Sequence, residues 1–79
     1  MQFDYSKLYG KIKEVFGTQE AFADAMEMSR TAVNARLTQK INWKSPEIAK
    51  ACDLLHISLN DAHLYFFSVK SLETKTEEL

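Results

Sequence analysis

The sequence predicts an all-α fold, a compact bundle of five short helices, two of them joined by a tight turn. Three observations predict it. Apolar residues recur at helical spacing in successive stretches, Thr18, Ser29, Ser45 and Ser58 stand where helix caps are needed, and Gly17 and Pro46 mark a helix end and a helix start. A chain of 79 residues is one domain. It buries somewhat more than about 60% of its unfolded surface, enough for a small core but not for a deep catalytic cavity.

The first helix is expected from about Asp4 to Phe16, with Tyr5, Leu8, Ile12 and Val15 or Phe16 in register and Lys7, Lys11, Lys13 and Glu14 left to solvent. Gly17 ends it. Thr18 then caps a helix that starts at Gln19 and carries Glu20 in its first turn, where a negative charge suits the helix dipole. Phe22, Ala25 and Met26 form its apolar face, and the small Ala23 lets a second helix approach. Met28 plugs the turn. Ser29 caps the third helix, 29–38, whose buried face is Val33 and Leu37. Thr38 to Lys44 lacks helical periodicity and reads as a polar, basic loop around Trp43, whose indole either packs on helix three or four, the preferred role, or touches sugar-phosphate.

Helix four has a sharp start: Ser45 as the cap, Pro46 at the first helical position and Glu47 near the positive end of the dipole, followed by Ile48, Ala51, Cys52 and Leu55 as the buried stripe. Ser58 with Asp61 fits a capping motif for a fifth helix, Leu59 to Phe67. From Ser68 to Leu79 the pattern allows a longer helix, a short strand through Phe67, Val69 and Leu72, or fraying, with the last five or so residues expected to fray. Two units follow: a domain over 1–70 and an acidic tail over 71–79.

The polar positions of helix three are Arg30, Thr31, Asn34 and Arg36. These side chains suit base edges and phosphates: Arg reads guanine bidentately, Asn reads adenine, and Thr donates, accepts or touches a thymine methyl. Here the sequence resembles the lambda-repressor-like Cro and repressor class of phage and bacterial helix-turn-helix proteins. Gln19, Ala23, Met28, Ser29 and Val33 fall on that class's opening Gln, small Ala, apolar turn residue, cap and core Val, and the likeness spans about Tyr5 to Leu55. The runs Phe3-Asp4-Tyr5-Ser6-Lys7-Leu8, Gly17 to Ala23 and Ser29-Arg30-Thr31 look like a group of short phage regulators within it.

The resemblance implies base contacts from Arg30, Thr31 and Asn34, backbone contacts from Gln19, Ser29, Lys40, Asn42 and Lys44, and Arg36 in either role. Two positions depart from the class. Glu27 stands where members most often carry Gly for a positive φ, at a cost of about 1 kcal/mol. Arg36 stands where many carry an apolar residue, with that role moved to Leu37.

Charge runs partly against nucleic acid. The net charge is −1, but from Ser29 to Pro46 the charged residues are Arg30, Arg36, Lys40 and Lys44 with no acid among them. The last nine residues carry −2, which leaves the first 70 at +1. No apolar run suits a membrane span or a secretory signal, and one cysteine fits a reducing compartment, so a cytoplasmic site is expected.

Cys52, His56 and His63 lack the paired spacing of a metal site, and no orienting acid supports a Cys-His nucleophile, so neither metal, cofactor, small-molecule substrate nor catalysis is expected. The block Tyr65, Phe66, Phe67, Val69 and Leu72 holds more apolar surface than a short helix hides; it either closes the core or forms a homodimer interface placing two recognition helices about 34 Å apart. The functional expectation is a small phage repressor binding a double-stranded DNA operator. Its rival is a helical interaction module that keeps the same scaffold and binds a second regulator protein, a reading the near-neutral charge favours.

Overall fold

A computed structural model describes residues 2–69 and contains five α-helices among them: α1 (Ser6–Phe16), α2 (Gln19–Met26), α3 (Arg30–Leu37), α4 (Ser45–Leu55) and α5 (Ala62–Phe66). The only β pairing among the described residues is an isolated antiparallel bridge between Phe3 and Val69. The expected tail over 71–79, with Leu72, lies outside the described residues.

Local chemistry explains most boundaries. Asp4 turns the chain into α1, its Oδ1 accepting from the Ser6 N–H at 2.9 Å and from the Ser6 hydroxyl, so the helix starts two residues later than the apolar spacing suggests. Gly17 ends α1 at φ 82°, its N–H donating to the Lys13 carbonyl. Thr18 Oγ1 accepts from the Ala21 N–H at 3.1 Å, and Ser29 Oγ from the Ala32 N–H at 3.0 Å, the N-caps of α2 and α3. Between them Glu27 takes φ 63°, the left-handed turn expected of it. Lys50 reaches across from α4, donating to the Met26 carbonyl at 3.2 Å and lying 3.4 Å from the Glu27 carboxylate.

Two starts differ from expectation. Ser45 is the first residue of α4, not its cap: Lys44 holds the cap position and its N–H donates to Glu47 Oε1 at 2.9 Å. The Glu47 carboxylate, three residues on, satisfies the N–H of the cap residue itself. The fifth element splits into a 3₁₀ turn, Leu59–Asp61, and the short α5, because Ser58 accepts from Asn60 and Asp61 in a tight turn before the α-helix takes over.

The core gathers one face of each helix: Leu8 and Ile12 from α1, Phe22, Ala23 and Met26 from α2, Val33 and Leu37 from α3, Ala51, Cys52 and Leu55 from α4, and Phe66 from α5. Fully burying each of the larger side chains stabilises by roughly 1.5–3 kcal/mol. Phe66 therefore belongs to the core and not to a surface interface: its ring meets Trp43 edge-on at 5.5 Å. Trp43 is only 9% exposed, so the indole closes the bundle against α5 and does not face out from the loop.

Candidate functional site

Because Val33, Arg36 and Leu37 point inward, α3 turns Arg30, Thr31 and Asn34 to solvent. Together with half-buried Gln19, the first residue of α2, these three line an open surface cleft of about 390 Å³. The two capped N-termini thus converge on one polar surface, which α2 and α3 hold rigidly through Phe22, Ala23, Met26 and Val33. Lys40, Asn42 and Lys44 are exposed on the loop that follows. Among the described residues no carboxylate forms an ion pair with Arg30, Lys40 or Lys44.

Arg36 is not part of that surface. It is 8% exposed, and its guanidinium makes a two-pronged pair with Glu47, Nε to Oε1 at 2.7 Å and Nη2 to Oε2 at 3.0 Å, while Nη1 donates to the Ala32 carbonyl at 3.0 Å. A base or phosphate contact is closed to it by burial, with three of its five N–H donors engaged inside the fold. The hydrogen bond from Arg36 is the main cause holding the Glu47 carboxyl below the usual glutamate range, against an opposing push from burial. Ser29 is exposed and its hydroxyl oxygen accepts from the Ala32 N–H as the cap of α3.

The remaining expected positions divide. Tyr65 is half-buried against the core, whereas Phe67 and Val69 are exposed. Cys52 is buried among apolar side chains, which pushes its thiol up, and His56 sits at the end of α4 in a left-handed turn. Two residues that no sequence argument singled out for this surface organise it: Glu47, which anchors α3 to α4, and Gln39, which ties the loop after α3 to Phe3. Arg36 at i+3 from Val33 and one place before Leu37 signals a buried cation in need of an acid. The acid itself, eleven residues on, has no local signature.

No helix among the described residues is long and apolar enough to cross a membrane. Residues 1–69 match the sequence profile of a family described as proteins of unknown function, DUF739, and the chain belongs to that family. No curated protein matches. A solved structure does: the solution structure of the modulator of repression (MOR) of the temperate bacteriophage TP901-1 from Lactococcus lactis is 46% identical to the chain, covers 85% of it and 90% of its own length, and superposes with a TM-score of 0.76. That comparison overturns the expectation of a repressor that binds an operator itself. A protein sharing nearly the whole fold at this identity is a modulator of repression, and the scaffold alone does not dictate DNA binding.

Proposed function

We propose that this member of the DUF739 family acts as a modulator of a phage repressor, binding another regulator protein and working by association, not by catalysis. The observation that carries the reading is the 46% identity to a modulator of repression over 85% of the chain. Charge supports it: a net −1 gives little long-range attraction to DNA, and the withdrawal of Arg36 leaves Arg30 as the one exposed cation of α3. In this reading the scaffold is a Cro-class helix-turn-helix put to a second use. Its outward polar face, Gln19, Arg30, Thr31 and Asn34, continued by Lys40, Asn42 and Lys44, meets a protein surface inside the cytoplasm of the bacterial host.

The test is a titration of the chain into the repressor encoded in the same regulatory region, with and without operator DNA. The expected result is a stable complex and an altered operator occupancy. Arg30→Ala and Asn34→Ala should each cost about 1 kcal/mol or more of complex stability, the level that marks a residue central to an interface. Failure of the two proteins to associate would overturn the reading.

A further inference from the structure

Phe3 and Gln39 lie 36 residues apart and exchange two hydrogen bonds. The Phe3 N–H donates to Gln39 Oε1 at 2.9 Å, and Gln39 Nε2 donates to the Phe3 carbonyl at 2.8 Å. A primary amide presents the same donor and acceptor as a strand neighbour, so this side chain stands in for one. On its other flank Phe3 pairs with Val69, and the Asp4 N–H donates to the Ser68 carbonyl at 2.6 Å. The ring of Phe3 meets Phe67 edge-on at 6.0 Å.

Gln39 holds this position at φ 67°, a left-handed conformation that costs a non-Gly residue about 1 kcal/mol. The loop around it folds back on the end of α3: the Gln39 N–H donates to the Arg36 carbonyl at 3.1 Å, and the N–H groups of Lys40 and Ile41 donate to the Ala35 carbonyl at 2.8 and 3.2 Å. Lys40, Ile41 and Asn42 are exposed immediately beyond. Gln39 thus joins two fastenings directly before these three residues, one to the end of α3 through its backbone and one to Phe3 through its side chain.

We propose that Gln39 is a positioning residue for the interaction face and that residues 2–4 are the strap it fastens, so that release of Phe3 moves the 40–42 segment and weakens partner binding without altering a contact residue. The binding half of this inference rests on the repressor-modulator reading; the fastening half does not. An N-terminal extension or cleavage that unseats Phe3 then acts on binding from outside the contact surface.

Two variants of the full chain test it. In Gln39→Asn the residue tolerates the left-handed turn but is one methylene too short to reach both Phe3 groups. In Gln39→Glu the ionised side chain accepts from the Phe3 N–H but faces the Phe3 carbonyl without a donor; once protonated it regains an O–H donor and with it both bonds. For Gln39→Asn, amide exchange at Phe3 is expected to be at least about tenfold faster, with shifted amide resonances at 40–42, unchanged ones in α2, and a repressor affinity about tenfold weaker, a loss of roughly 1.4 kcal/mol. For Gln39→Glu, the resonances at 40–42 should return toward the wild-type positions as the new carboxyl is protonated, a response that a merely structural role would not give. Unchanged Phe3 exchange or unmoved 40–42 resonances in the Asn variant would overturn the strap. Altered resonances with undiminished repressor affinity would overturn its role in binding, and a wild-type chain that binds no repressor would instead remove the reading on which that role rests.

Discussion

The two edges of α3 use similar polar residues for opposite purposes. On the outer edge Arg30, Thr31 and Asn34 face solvent and line an open cleft, contributing nothing the bundle requires. On the inner edge Arg36 sits between Val33 and Leu37 in the core and its guanidinium donates to Glu47 and to the Ala32 carbonyl inside the fold. Arg36, three residues after Val33 and adjacent to Leu37, is thus a structural residue, whereas Arg30, three residues before Val33 at the first helical position, stays in solvent. Residue type alone assigns neither role; the phase of the helix does.

The largest test of that contrast removes the inner acid. Glu47→Ala leaves the Arg36 guanidinium buried without its carboxylate and takes away the bond to the Lys44 N–H, so a loss of about 3 kcal/mol is expected, read as a lower urea midpoint at unchanged slope. The same pair sets an acid limit. Because the folded-state carboxyl of Glu47 titrates below its ordinary range, its stabilisation is fully present above that range, about pH 4.3, and is lost as pH falls through the folded value. Melting temperatures followed from pH 6 down to 3 should fall less steeply in Glu47→Gln than in the wild type.

A smaller effect of opposite sign is expected at the turn leading into α3. Glu27 holds a left-handed conformation, and its ion pair among the described residues is the 3.4 Å contact to Lys50 from an 83% exposed side chain, an arrangement worth little. Glu27→Gly should raise stability by up to about 1 kcal/mol, roughly 4–8 °C in Tm for a domain of this size. The smallest change is reserved for the outer edge: Arg30→Ala, Thr31→Ala and Asn34→Ala should each move folding stability by no more than about 0.5 kcal/mol. A loss from any of them as large as that of Glu47→Ala would erase the distinction between the two edges.

Many of the elements governed by neighbours within four residues were legible in the sequence. The caps at Thr18 and Ser29, the stop at Gly17 and the left-handed turn at Glu27 follow from local side-chain and backbone chemistry and stand where they were expected. The later start of α1, the Lys44 cap of α4 and the 3₁₀ turn before α5 escaped because several local polar groups compete there, and the rest of what escaped depends on contacts between distant segments. The sequence offers Arg36 to a base or a phosphate because Glu47 arrives from another helix, and it leaves Phe66 in a block that either closes the core or forms an interface because an apolar run does not say which of its members turns inward. The Gln39 bond to Phe3 spans 36 residues and leaves no periodic trace. Function was harder to read than fold for a further reason: the polar types that suit base edges suit a protein surface equally well, so residue type does not choose between DNA and a protein partner.

Trp43 supplies the molecule with its own optical probe. It is the sole tryptophan, buried edge-on against Phe66, and its indole Nε1 has no acceptor among the described residues, so the expected emission is that of an indole in apolar surroundings. The ring lies on a wall of the aromatic cleft that also includes Phe3 and Phe67, the residues joined at the strap. A red shift of that emission under native conditions reports loosening of this corner alone, so one wavelength follows the seating of the N-terminal segment with no label attached.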